Sequence, residues 1–360
     1  MINRWMEIQK SFEDTFEQFK LLLDSCEQPE VAHDDFAEII SSNLIGGKHI
    51  RGALVAAALE AFSTREALSA SRLQVAHFIG WCIEMMHTGF LVLDDIMDNS
   101  PTRRNKPSWF VQRKEQGFGS LAINDGIHLI MASKYLLHQV FRLQRCSQDV
   151  YFKITKLFDE GGYRTCWGQH LDAIYSKPTN CAPTSIDNFT KPHVDAIAKW
   201  KTGFYTFYLP IACGMIMAEV NDETRYSQAS NILLKFGIYF QAQDDYLDCF
   251  GSEVITGKVG TDITDGKCTW LIAECLAQAT PKQRQIIQDN YGRSDTDRAD
   301  AVRTVYLNLS LPDRFRAYEC RIRTELLKDI RSWDTSNDDD PSGPKQLFLL
   351  LLDILLSRSC

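Results

Sequence analysis

The stretch Leu91 to Trp109 reads LVLDDIMDNSPTRRNKPSW, and a second, Phe240 to Phe250, reads FQAQDDYLDCF. Both contain Asp-Asp-x-x-Asp: Asp94, Asp95 and Asp98 in the first, Asp244, Asp245 and Asp248 in the second. Residues four apart stack on one helix face, so Asp94 with Asp98, and Asp244 with Asp248, each make a two-carboxylate claw. Apolar residues precede both claws, which predicts helices buried up to the point where the acids emerge. Carboxylates so close repel unless a cation compensates them. The cluster holds no His or Cys, which suits a hard ion, and Mg²⁺ prefers one or two carboxylates together with phosphate oxygens. Two such claws facing a cavity predict a site for a diphosphate held through metal ions. A lone acidic cluster is ordinarily a solvated face. Here the spacing occurs twice, each time after an apolar run and once followed by Arg103-Arg104, and the metal reading prevails.

The rest of the composition is that of a globular protein. At 360 residues the chain suffices for one large domain or two ordinary ones. It is 44% hydrophobic and 24% charged, enough for a substantial core. A net charge of −8 gives no reason to expect nucleic acid. Eleven cysteines show no CxxC spacing, and several sit in apolar contexts. They read as reduced thiols of a cytoplasmic protein, not as a disulfide framework. The first residues, MINRWMEIQKSFEDTFEQF, predict an amphipathic helix and lack the apolar core of a secretory signal. The late apolar run Leu347 to Leu356 is broken by Asp353 and too short to span a bilayer, so no stable membrane insertion is expected.

Helical periodicity runs through nearly the whole chain, with no convincing alternating strand pattern. Helices are expected at 1–25, 33–44, from the glycines at 46–47 onward, and at 71–98, 119–145 and 148–173. Gly46-Gly47-Lys48-His49-Ile50-Arg51-Gly52 opens the third of these, where glycine lets backbone approach an anion and the helix dipole favours it. A loop at 176–186 precedes a helix from about 187 that runs into Lys199-Trp200-Lys201-Thr202-Gly203. Lys201 there either snorkels to solvent or contacts a phosphate. The helix at 227–250 carries the second claw, and a Gly-containing loop after it offers Lys258 and Lys267. Later helices are expected at 271–279, 281–291, 297–308, 313–332 and 344–356. Asp338-Asp339-Asp340 sits among Ser, Gly and Pro and reads as a solvated loop. The expected architecture is a single all-α domain over 1–360, a helical bundle around a central cavity.

On GGKxxRG, DDIMDxSxTRR, the GQxLD stretch at 168–172, KTxFYxFYLP, FQxQDDYLDCFG and TGKxGTDIxDxKC, the chain resembles the trans-isoprenyl diphosphate synthases, most closely the animal farnesyl diphosphate synthases. The resemblance implies the isoprenoid synthase-type fold, a homodimer, and three Mg²⁺ ions bound with an allylic prenyl diphosphate. It implies that Asp94, Asp98 and Asp244 are ligands, with Asp95, Asp245 and Asp248 supporting them. Arg103, Lys201 and Lys258 would grip the allylic diphosphate, and Thr202 and Gln241 would stand near the developing cation. Lys48, Arg51 and Arg104 would hold the diphosphate of isopentenyl diphosphate.

The departures from the family pattern cluster on that second pocket. Ile50 stands where the family has Asn, His87 where it has Gln, and Asn105 where it usually has Gly. The C-terminus, LLSRSC, keeps Arg358 of what is otherwise a basic cluster. Two lost polar contacts and most of a cationic lid would cost several kcal/mol at ~1.5–3 kcal/mol per charge-assisted bond. The chain therefore looks similar to the insect terpene synthases derived from this family. The sequence expectation is a sesquiterpene-type synthase that ionises farnesyl diphosphate. The alternatives are a farnesyl diphosphate synthase that still condenses an allylic diphosphate with isopentenyl diphosphate, or a non-catalytic regulatory subunit. Gly89, five positions before the first Asp, has an aromatic counterpart in the family. It either opens space at the pocket floor or is filled by a neighbour.

Overall fold

The computed structural model describes residues 2–144, 146–176, 186–251, 260–333 and 343–357. Lys258, Arg358 and the Asp338–Asp340 run lie outside the described residues. The expected all-α class holds: the described residues are helical apart from their loops and one hairpin of two-residue strands. The chain gathers into two compact units, each drawn from three stretches. The first takes 1–160, 209–226 and 335–353; the second takes 161–208, 227–334 and 354–360.

In the first unit, α1 (Ile2–Glu13) and α2 (Phe16–Asp24) replace the single helix expected over 1–25. The break has a polar cause. The Thr15 hydroxyl donates to the Phe12 carbonyl at 2.6 Å and accepts from the Trp81 indole N–H at 3.0 Å. Phe12, Phe16 and Phe19 then gather on the Trp81 ring, with centroids 4.3, 4.9 and 6.1 Å away. α3 (Glu30–Asn43) and α4 (Ile50–Phe62) follow, and α4 is Ala-rich and almost wholly buried.

Next comes α5 (Ala70–Met97), capped by the Ser69 hydroxyl accepting from the Arg72 N–H. By length and composition α5 could cross a membrane, yet 89% of its apolar window is buried inside the protein, the setting of a core helix. The basic stretch after it is not a plain loop. β1 (Thr102–Arg103) pairs antiparallel with β2 (Lys106–Pro107). α6 (Trp109–Glu115) leads into α7 (Leu121–Gln144), which lies along α5.

Gly89 does not open a space. A Cβ built on it would lie 2.6 Å from the Gly126 carbonyl oxygen and 2.7 Å from Ile130 Cγ1, both on α7. The glycine is there so that α5 and α7 can touch, and its neighbours already fill the volume that an aromatic ring would need.

The second unit takes the later part of α8 (Gln148–Tyr175), then α9 (Lys191–Ile197), whose N-terminus the Thr190 hydroxyl caps. From Ala198 to Tyr208 the helix widens into a π-helix before α10 (Leu209–Met217) resumes the α form within the first unit. Sequence periodicity gave no sign of this widening. α11 (Glu223–Phe250) carries the second claw at its C-terminal end. Shorter helices at Asp262–Asp265, Trp270–Gln278, Pro281–Asn290 and Thr296–Asn308 lead to a long one at Leu311–Arg331. α11 is fastened from inside: the Tyr239 hydroxyl donates to Glu319 at 2.7 Å, and the buried Gln243 amide donates to that hydroxyl at 2.8 Å.

Two glycine substitutions separate these packing claims. Gly89→Leu overpacks the α5–α7 contact and is expected to lower stability by ~1–3 kcal/mol or more. Gly162→Ala, in α8, meets nothing within 4 Å. It is expected to raise stability by ~0.5–1 kcal/mol. Thermal or denaturant unfolding of the two variants checks both signs.

Candidate active site

The first claw closes α5. The carboxylates of Asp94 and Asp98 offer oxygens within 4.8 Å of each other, an all-oxygen donor pair that fits a hard divalent cation. Asp95, between them, turns elsewhere. It is 2% exposed and takes the Arg103 Nε on both oxygens, at 3.0 and 3.2 Å, with a further contact from the Arg103 terminal nitrogen. That nitrogen also reaches Asp94 at 3.5 Å. Burial pushes the Asp95 carboxyl above its ordinary value, and Arg103 opposes the rise. Burial likewise works against the charge on Arg103, but the bonds and field of Asp95, with Asp94 and Asp98, outweigh it and hold the guanidinium firmly protonated.

The hairpin exists because its two central residues accept a left-handed backbone. Arg104 and Asn105 have φ of 53° and 61°, as a two-residue turn with positive φ at both positions requires. Asn is among the residues that tolerate this conformation best, so Asn105 is a fair substitute for glycine here. The turn sends Arg104 back over the α3–α4 connection. Its Nη1 donates to the Asn43 and Ile45 carbonyls at 3.0 and 3.3 Å. A Cβ on Gly47 would stand 2.9 Å from Arg104 Nη2. Glycine in the GGK motif thus makes room for an arginine from the TRR motif.

Around Arg104 the other residues of the predicted second pocket come together. Arg51 lies in the first turn of α4, Lys48 is exposed just before it, and Ile50, half-buried, is the first helical residue. His49 caps this end in a left-handed conformation, φ 44°, its ring between the Leu44 carbonyl (3.1 Å) and Glu13 (3.2 Å). The buried Glu84 carboxylate accepts the Gly52 N–H at 2.8 Å. His87 is 7% exposed. Burial, then the fields of Arg51, Arg104, Arg103 and His49, hold its ring well below the ordinary histidine value, in the neutral form.

The second claw is organised alike. Asp245, 4% exposed, accepts the Trp270 backbone N–H at 2.7 Å and the Gln241 amide at 2.9 Å. Burial raises its carboxyl despite those bonds. The Thr202 hydroxyl donates to Gln241 Oε1 at 3.1 Å, so Thr202, Gln241 and Asp245 form one chain of hydrogen bonds. Asp248 Oδ2 accepts the Asp262 N–H at 3.0 Å, and Asp244 is half-buried on the same helix.

Lys201 neither snorkels nor stands alone. Its ammonium donates to Asp172 Oδ2 at 2.7 Å, and Lys267 reaches the same oxygen at 3.1 Å. Burial would raise the Asp172 carboxyl, but the two lysines outweigh it and hold it below the ordinary range. No role was read for Asp172 from the sequence. The signal was the GQxLD stretch itself: a Cβ on Gly168 would fall 2.0 Å from the Lys201 backbone nitrogen. That glycine brings α8 against the π-helix one turn before Asp172.

The family model described as Polyprenyl synthetase matches residues 33–309. Human farnesyl pyrophosphate synthase is 38% identical over 314 residues, 85% of this chain and 73% of its own. The chicken (Gallus gallus) farnesyl pyrophosphate synthase is 42% identical over 285 residues, 78% of this chain and 74% of its own. The corresponding protein of Candida albicans is 37% identical over 328 residues, 90% of both. Among solved structures, T. brucei farnesyl diphosphate synthase in complex with a bisphosphonate superimposes with a TM-score of 0.84 at 28% identity, covering 99% of this chain and 98% of that one.

These relatives overturn the sequence expectation of a sesquiterpene-type synthase. From human and chicken to Candida albicans they carry the name farnesyl pyrophosphate synthase. The expectation had rested on His87, Ile50 and Asn105 as losses and on the reduced basic C-terminus, whose Arg358 lies outside the described residues. In the structure Asn105 fits its turn, and His87 is a buried polar residue whose ring feels the fields of Arg51 and Arg104.

The Asp172 pair makes a stability prediction for the metal-free chain. A carboxyl held low in the folded state contributes stability in full above its unfolded value of about 3.9 and loses it as pH falls through the lower folded value. Asp172→Asn is therefore expected to be less stable than the parent at neutral pH, with the difference shrinking on acidification below about pH 4. Denaturant unfolding at a series of pH values measures it. A difference independent of pH would show that the ion pairs contribute nothing.

Proposed function

Because the chain belongs to the polyprenyl synthetase family, we propose that it is a farnesyl diphosphate synthase, joining an allylic prenyl diphosphate to isopentenyl diphosphate. The observation that supports this reading best is the laying of Arg104 across the Gly46–Gly47 turn that leads to Lys48 and Arg51, on the Asn43 and Ile45 carbonyls at 3.0 and 3.3 Å. Ionising an allylic diphosphate alone has no use for a second cationic pocket.

In this reading Asp94 and Asp98 hold Mg²⁺ from the end of α5, and Asp244, with Asp248 beside it, does so from the end of α11. Three ions accompany the substrate diphosphate. When bound, they neutralise charge that builds on the leaving diphosphate. Arg103, Lys201 and Lys258 grip that diphosphate, with Arg103 steadied by Asp95 and Lys201 by Asp172. Thr202 and Gln241, linked to each other and to Asp245, place oxygen atoms near the allylic carbon as positive charge develops there. Lys48, Arg51, Arg104 and His87 receive the diphosphate of isopentenyl diphosphate. The allylic C–O bond breaks with its electron pair on the departing diphosphate, and the double bond of isopentenyl diphosphate attacks the allylic carbon. The released diphosphate takes the proton whose loss restores a double bond in the new chain.

The same reading takes the chain as one cytoplasmic domain over 1–360 that pairs with a second copy. Ile123, Ile127, Met131 and Tyr135 repeat every fourth residue along α7 and are all 46–57% exposed. A stripe of that spacing is one helix face, the kind that a partner helix covers.

The test is product analysis with purified protein and Mg²⁺. One tube holds geranyl diphosphate with isopentenyl diphosphate; the other holds farnesyl diphosphate alone. Farnesyl diphosphate made in the first, with the second unchanged, is the expected result. A hydrocarbon or alcohol in the second tube without elongation in the first would overturn the proposal.

A further inference from the structure

His49, between Lys48 and Ile50 at the head of α4, holds a left-handed backbone with φ 44° and ψ 34°. That conformation is costly for a residue with a Cβ, and the side chain shows what keeps it there. Nδ1 meets a Glu13 carboxylate oxygen at 3.2 Å, and Nε2 meets the Leu44 carbonyl at 3.1 Å. Both partners can only accept. A neutral imidazole has one N–H and one lone pair, so it satisfies one of them and turns its lone pair on the other. Only the imidazolium donates to both. Leu44 also ends α3, where the helix dipole is negative, and the carbonyls on either side of it, Asn43 and Ile45, already take a cation in Arg104.

The ring is 7% exposed, and ionisable groups stand around it. Lys48 and Arg51 flank it in the chain, and Arg104 comes from the hairpin. From α5, Trp81 is set edge-on at 5.1 Å, Glu84 is committed to the Gly52 N–H, His77 lies beyond the Phe12 ring, and His87 feels the charge of His49. Among the described residues, Glu13 is the carboxylate within bonding distance. α1 supports the same turn twice more. Gln9 donates to the Lys48 carbonyl, and Phe12 lies under Gly52, where a Cβ would stand 2.3 Å from its Cζ. α1 thus grips residues 48, 49 and 52 from one side, while the end of α3 grips 49 from the other.

We propose that His49 is a positioning residue for the second diphosphate: as an imidazolium bridging Glu13 and Leu44 it sets the turn that presents Lys48 and Arg51, and loss of its proton releases one side of the bridge. This rests on the elongating function proposed above. The sign follows from the donors. The bridge is complete while the ring is protonated, and one contact is lost as pH rises through the ring's titration. Binding of isopentenyl diphosphate weakens over that range by about 5-fold, the net worth of one hydrogen bond. The allylic diphosphate, held by other residues, does not share the change.

The test uses the full chain with Mg²⁺ and saturating geranyl diphosphate, and reads KM for isopentenyl diphosphate from about pH 6 to 8.5. Two variants separate charge from shape. His49→Gln has a single amide nitrogen and cannot donate in both directions. Glu13→Gln gives the neutral ring what it lacks, an amide N–H for the Nδ1 lone pair, while Nε2–H still serves Leu44. The ligand's own ionisation is common to all three proteins and cancels. The expected KM climbs with pH by about 5-fold more in the parent than in Glu13→Gln, whose bridge needs no proton. In His49→Gln it is raised already at low pH. kcat and the KM for geranyl diphosphate keep one pH profile throughout. Should His49→Gln fail to fold, the parent and Glu13→Gln decide the matter alone. Parallel KM–pH curves for those two, or a loss that falls on kcat and both substrates alike, would overturn the inference and leave the proposed function standing. No elongation by the parent would overturn both.

Discussion

Each Asp-Asp-x-x-Asp motif crowds three carboxylates onto one helix end, and the local structure depends on how their repulsion is divided. The two motifs solve it in the same way. In each, the middle aspartate is buried and bound by the protein itself: Asp95 by Arg103, Asp245 by the Trp270 N–H and Gln241. The first and last aspartates then share a helix face with i,i+4 spacing. The middle residue therefore serves as an anchor. It fixes the rotation of the helix end and the position of the guanidinium or amide bound to it. The outer pair of acids in each motif is thus held by its own helix end, with the middle acid as the fixed point.

A second level of positioning comes from backbone approach. Arg104 can lie across the α3–α4 turn only because Gly47 has no side chain, and Lys201 can face Asp172 only because Gly168 has none. Both cationic side chains thus owe their placement to glycines that touch no substrate. Motifs that look like separate phrases in the sequence, GGK with TRR and GQxLD with KT, are pairs of surfaces that fit together. Their residues are joined more by steric permission than by hydrogen bonds.

This explains what could be read beforehand and what could not. The helix class, most element boundaries and the two claws followed from periodicity and spacing, which are local properties. Donor type made a hard cation the expectation for the claws. The break at Thr15 did not, because it depends on an indole 66 residues away. The π-helix did not, since its composition suits an α-helix as well. The roles of Asp172 and Lys267 stayed hidden because a lysine–aspartate pair has no sequence spacing when its partners are 29 and 95 residues apart. Gly89 stayed open between two readings for a related reason: a missing side chain looks like space until the neighbouring helix is seen to occupy it. The departures at Ile50, His87 and Asn105 were visible, but their weight depended on backbone conformation and on charged neighbours.

The widened helix from Ala198 to Tyr208 has a bearing on how this chain can change over time. Its turns close on the fifth residue along instead of the fourth. Removing a single residue from it would let the segment tighten to the α form. The flanking turns can keep their register, because a π-turn holds one residue more than an α-turn, while the residues inside the segment are re-aimed. Lys201 and Thr202 would then turn away from Asp172 and Gln241, which they meet now. For these eleven residues length is thus as constrained as chemistry: substitutions can drift through the segment, whereas a one-codon deletion puts both contacts at risk at a stroke.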